Sequence, residues 1–281
     1  MYRDILNEEL GISNSVSLLT LKIKNLISND YAKNFNNYSL IVEYEIIKNS
    51  FINLYKNVLN VTFESKDIKI IYYVLNTDNQ NLINFYNTKC NSYFSDNSLI
   101  LFLSCNLNNN KINWPNYSGI LQHEVEHYFQ SYKKNSILLS PIKQQKYNKY
   151  VKLAKSNDYI DAIIGFTYYY YTKIEQNAIM NQLYREIMDN NKDGLRNNPK
   201  DILINNIHYL NINNIKKFID SLDSNNIYKD NLKEHLTAIG KSYNSFIKTA
   251  NIVINEYIKK FGRTLYKANK DIDKLYENAL Y

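Results

Sequence analysis

Glycine and proline are scarce in this chain, with 6 and 3 copies among 281 residues. Such thin punctuation argues against an all-β design of many tight turns and favours long helices. Cysteine occurs only at Cys90 and Cys105, which excludes a disulfide framework, and no C-x-x-C spacing exists for a zinc knuckle. A reducing compartment suits such a chain. No stretch approaches the roughly 20 apolar residues of a membrane span. The opening residues, MYRDILNEEL, carry acids where a secretory leader has a basic start and an apolar run. The expected setting is therefore cytoplasmic, with no membrane partner. Histidine is rare as well: His123, His127, His208 and His235 are the full set.

What the chain has in quantity is tyrosine (27 copies), with much Asn, Lys and Ile, a bias of AT-rich coding. Apolar residues at 44% and charged residues at 22% are ordinary globular usage, enough for a sizeable core. The net charge of +7 is dispersed, and Lys/Arg runs never exceed pairs such as Lys133-Lys134, Lys216-Lys217 and Lys259-Lys260. Pairs of this kind read as solvated helix faces, which argues against nucleic acid as a partner.

Apolar spacing predicts helix from about Ile5 to Lys56, on Leu18, Leu21 and Leu26 and then Ile46, Phe51, Leu54 and Tyr55. The alternation in Tyr38–Ile47 equally fits a strand. Asp67–Leu75 (DIKIIYYVL) and Ser98–Ser104 (SLILFLS) are β-branched or apolar runs bounded by turn residues, hence strands. Asn106–Pro115 reads as a loop leading to a helix over Tyr117–Tyr132. A second long helix spans about Tyr159–Asp189. From Pro199 onward the pattern gives short helices, including Ile212–Leu222, Asn231–Phe261 and Asn269–Leu280. The class expected is α+β and mostly helical. The organisation expected is a region over 1–195 and a helical C-terminal part over 196–281.

Within the Tyr117–Tyr132 helix lies His123-Glu124-Val125-Glu126-His127. Residues four apart share one helix face, so both imidazoles can address a single metal ion. Zinc accepts neutral imidazole and, in catalytic sites, keeps one position open for water. Glu124 beside the first His suits a general base acting on water rather than a ligand. The same letters also fit the inverted order H-x-x-E-H, which would give that role to Glu126. The two carboxylates flank the metal face on opposite sides, and Glu124 is the favoured base.

Two His hold zinc weakly, so a third protein ligand is required. The extension H-E-x-x-H-x-x-G-x-x-H is absent, because Gln130 and Lys133 stand at its Gly and His positions. A carboxylate from a later helix is the remaining common solution. Glu175 is the first candidate, since Ala178 one turn on permits close helix packing; Glu186 and Asp161 come next. Tyr168–Tyr171, His208 and His235 are candidate transition-state donors, each more simply read as packed or solvated. Trp114 is expected to anchor the loop before the active helix.

HExxH on one helix and a Glu in an E-x-x-A context on the next resemble the gluzincin branch of the zincin metallopeptidases. The resemblance covers about Ser98–Asp189. It implies a small mixed sheet packed on the active-site helix, with an edge strand that holds peptide substrate; Ser98–Ser104 would be that strand. It also implies Zn2+, with His123, His127 and Glu175 as ligands, and hydrolysis of peptide or protein substrates. Some members place an Asp four residues after the ligand Glu to orient a His, whereas Ile179 stands there, so that support must come from elsewhere, such as Asn177, Asn181 or a backbone carbonyl. The competing expectation is a zincin-shaped protein that binds without cutting.

Overall fold

The computed structural model describes residues 14–36, 40–47, 50–77, 79–95, 98–106, 111–132, 141–191 and 198–279. Their elements are a mixed sheet and a majority of helices, so the chain is α+β and mostly helical. Two compact units divide the described residues, one over 14–132 and one over 141–279. The division falls after Tyr132 rather than near residue 195, because the helices at 159–190 share one apolar core with those further on.

The first unit opens with helix α1 (Asn14–Asn34), followed by β1 (Ile41–Ile47), β2 (Ser50–Phe63) and β3 (Lys66–Leu75). Next come α2 (Gln80–Lys89), β4 (Tyr93–Ser95), β5 (Ser98–Asn106), β6 (Lys111–Ile112) and α3 (Trp114–Tyr132). Sheet order is β1-β2-β3-β5-β4, with β3 and β5 parallel, the other neighbours antiparallel, and β6 paired to the end of β5. Alternation decides which side chains enter which layer. Ile68, Ile70, Tyr72 and Val74 of β3, with Leu99, Leu101 and Leu103 of β5, bury one face together with α1 and α3. Leu54, Leu75 and Phe102 bury the other against Tyr86 and Cys90 of the α2 segment.

Three expectations change here. Ser50–Phe63 is a strand, not a helix: its register runs from Tyr55↔Val74 to Phe63↔Lys66, closed by the positive-φ turn Glu64-Ser65. The helical spacing of Ile46, Phe51, Leu54 and Tyr55 was coincidental, and long-range pairing outweighs it. In α1 the buried stripe is Val16, Leu19, Ile23, Ile27 and Tyr31, whereas Leu18 and Leu26 are exposed. Ser98–Asn106 is not the edge strand, because β4 caps the sheet beyond it. The short segment Tyr93–Ser95, unmarked by any apolar run, takes that place. The lysine pair Lys133-Lys134 and the first ten residues lie outside the described residues.

The second unit comprises α4 (Pro141–Ala154), α5 (Tyr159–Tyr170), α6 (Lys173–Asn190), α7 (Pro199–Asn205), α8 (Ile207–Ser221), α9 (Asn226–Ala238) and α10 (Tyr243–Ala279). The predicted helix 159–189 is two helices, broken where Thr172 turns extended (φ −76°, ψ 128°) to cap α6. The two short helices foreseen over 231–280 are the end of α9 and a single 37-residue α10. Its stripe Phe246, Ala250, Val253, Tyr257, Phe261, Ala268 and Ile272 recurs at helical spacing and is buried throughout. Much of the Asn excess has local work to do. Asn198, Asn206 and Asn225 each cap a helix by accepting from backbone N–H groups of its first turn, each typically worth about 1 kcal/mol.

Gly165 lets α5 approach α4 closely. A Cβ there would stand 2.1 Å from the backbone nitrogen of Ala154 and 2.5 Å from the carbonyl carbon of Leu153. Backbone atoms cannot rotate away, so Gly165→Ala is expected to destabilise the protein by about 1–3 kcal/mol or more. The check is a lower urea midpoint; an unchanged midpoint contradicts the close approach.

Candidate metal centre

Helix α3 is built to hold its register. Trp114 begins it, buried, with Nε1 donating to Ser28 Oγ at 2.7 Å, which is the anchoring role expected of it. Tyr117 hydroxyl lies 2.7 Å from Ser104 Oγ and donates to Asn87 Oδ1 at 2.9 Å. Leu121, Val125 and Tyr128 then turn into the sheet-side core. With that face committed, His123 and His127 project from another side of the helix, one turn apart.

The two imidazoles converge: His123 Nε2 and His127 Nε2 are 3.1 Å apart, and the ring planes are inclined at 83°. Two nitrogens ligating one tetrahedral zinc at about 2.0–2.1 Å are themselves separated by roughly 3.3 Å. The pair therefore fits a shared ion with almost no adjustment. On the other side of His127, Nδ1 lies 3.1 Å from Gln130 Oε1, and Gln130 Nε2 donates to Glu126 Oε1 at 3.1 Å.

The two carboxylates of the motif have different surroundings. Glu124 Oε2 accepts from the backbone N–H of Phe94 at 3.0 Å, so this side chain lies against edge strand β4. Glu126 is buried and engages Gln130 on its own helix. Support for His127 comes from α3 itself, through Gln130; of the amides anticipated, Asn181 Nδ2 donates to the Asn177 carbonyl within α6.

Glu175 sits in the first turn of α6 and is only 2% exposed. Both of its oxygens are held: Tyr147 hydroxyl donates to Oε1 at 2.6 Å and Tyr169 hydroxyl to Oε2 at 2.7 Å. Two phenolic donors offset part of the cost of burying the charge. Each oxygen of a carboxylate has two lone pairs, so one phenolic donor does not by itself exhaust it. The helix break is what allows Tyr169 to reach. Residues six apart on a continuous helix are turned by about 240° from each other, and the bend at Tyr171-Thr172 removes that separation. The phenol of Tyr169 is held well above its ordinary pKa, by burial first and by the Glu175 charge second.

Two imidazoles and one carboxylate, from His123, His127 and Glu175, make a group that could hold a metal ion. The other sequence candidates have different engagements. Glu186 accepts from Gln182 at 2.8 Å and from Asn206 at 2.9 Å. Asp161 Oδ1 is 2.8 Å from His235 Nδ1. His208 bridges Tyr170 (3.0 Å) and Gln182 (3.3 Å), a packed histidine. Of the tyrosine run, Tyr168 stacks on Tyr150, Tyr170 meets His208, and Tyr171 is exposed.

Sequence reasoning missed Gln130, Tyr147 and the edge strand at Phe94. Gln130 was within reach of spacing alone, at i+3 from His127 and i+4 from Glu126. Nothing local marks Tyr147 among so many tyrosines. No helix among the described residues is long and apolar enough to cross a membrane. No family model, curated protein or solved structure matches this chain.

Proposed function

We propose that this chain is a zinc-dependent peptidase that hydrolyses peptide bonds, with His123, His127 and Glu175 as the metal ligands and Glu124 as the general base. The observation that carries the reading is the convergence of two imidazole nitrogens to 3.1 Å on a helix whose intervening Glu124 abuts an edge strand. Buried Glu175 is the carboxylate best suited to complete the set.

A bound zinc ion supplies Lewis acidity, making water nucleophilic near neutral pH and polarising the scissile carbonyl. The protein's own groups do the rest. Strand β4 ends the strand order of the sheet, the position at which an extended peptide can add by main-chain hydrogen bonds. Glu124, tied to Phe94 of that strand, then stands beside the peptide. It accepts a proton from the attacking water and returns it to the departing amine. The Tyr147 hydroxyl gives its one proton to Glu175 Oε1 at 2.6 Å, so in this reading it steadies the carboxylate ligand rather than the developing oxyanion.

The test is cleavage of a mixed peptide substrate by the purified chain. Activity is expected to vanish on treatment with a zinc chelator and to return with added zinc. Chelator-resistant cleavage overturns the metal mechanism. Zinc uptake with no cleavage of any substrate would favour the non-cutting, zincin-shaped binding protein.

A further inference from the structure

We propose that Gln130 and Glu126 are positioning residues that lock His127 into the one tautomer able to ligate a metal through Nε2. The inference rests on the zinc-site reading above and deepens it.

An ionised carboxylate only accepts, so the face that Gln130 turns to Glu126 is its NH₂ group, with Nε2 at 3.1 Å from Oε1. The amide's other end, Oε1, is thereby turned to His127 Nδ1, also at 3.1 Å. A carbonyl oxygen has no proton to give, so the contact is a hydrogen bond only if Nδ1 carries one. A neutral imidazole has a single N–H, which leaves His127 Nε2 bare. That bare nitrogen is the one directed at His123 Nε2, where the shared ion would sit.

Direction is therefore set at Glu126 and relayed through one amide. Glu126 is 3% exposed, so it is not a solvated helix-surface acid, and its demand for donors is strong. The three residues occupy i, i+1 and i+4 of one helix, so a single element brings them together. Ring orientation and tautomer are what the outer hydrogen bond of a metal-bound histidine fixes. Here that bond is supplied before any ion arrives. A ring with the proton on Nε2 would have to move it before binding.

The test uses the full chain, ¹⁵N-labelled at histidine and stripped with a chelator, at a pH where imidazoles are neutral. NMR is expected to show His127 with a protonated Nδ1 and a bare Nε2. Glu126→Gln keeps the shape but lets the Gln130 amide face either way, and Gln130→Met keeps a helix former while removing the acceptor. Both should mix the two His127 tautomers and weaken zinc binding by roughly 10–100-fold. The exchange Glu126→Gln with Gln130→Glu places a carboxylate directly on Nδ1–H and should restore the wild-type ring signature and affinity. A wild-type His127 protonated at Nε2, or variants that retain both signature and affinity, would overturn the proposal. Because the NMR readout needs no metal, the two readings separate. The expected tautomer in a chain that takes up no zinc upholds the relay and sinks the zinc site.

Discussion

Glu124→Gln is expected to retain its zinc while peptide hydrolysis falls by about 10²–10⁴-fold, the usual contribution of a positioned acid–base group. The substitution is nearly isosteric, and the new amide carbonyl can still accept the Phe94 N–H that Glu124 accepts at 3.0 Å. Folding and strand placement should therefore survive, and what is lost is the capacity to take a proton. Glu126→Gln is the informative companion, measured at zinc concentrations that saturate each variant. Glu126 is directed to Gln130 rather than to the edge strand, so its effect should fall on metal affinity. The reverse outcome, an active Glu124→Gln and an inactive, zinc-loaded Glu126→Gln, would assign the base to the inverted motif.

Glu175→Ala should lower zinc affinity by more than the roughly 10–100-fold that supporting residues give, because a ligand itself is removed. Tyr147→Phe and Tyr169→Phe each delete one of the two phenolic donors on that carboxylate, and each is expected to fall within the supporting range. Competition against a chelating dye orders the three. Should Glu175→Ala bind zinc as tightly as the wild type, Glu175 leaves the site, and its two phenols are only the means of burying an acid.

Much of the candidate centre was readable from residues because it is local. His123, Glu124 and His127 share one amphipathic helix, and helical geometry alone brings the rings together. Gln130 obeys the same geometry and was overlooked only because amides draw less notice than acids. Strands β3 and β5 declared themselves by β-branched or apolar runs bounded by turn residues. The failures lie where distant pairing decides. Ser50–Phe63 has apolar residues at both helical and alternating positions, and its partner β3 settled the choice. Tyr93–Ser95 is too short to stand out, and pairing with β5 makes it a strand. The break at Thr172 has no Gly or Pro to announce it. Tyr147 needed the α4–α5 contact at Gly165, which no sequence window contains.

The central claim is that His123 and His127 hold one metal ion between them. Zinc titration by calorimetry on chelator-stripped protein tests it most directly. One zinc per chain is expected for the wild type, with loss of that binding event in His123→Ala and in His127→Ala. Binding that survives both substitutions, or a folded wild-type chain that takes up no zinc, would contradict it.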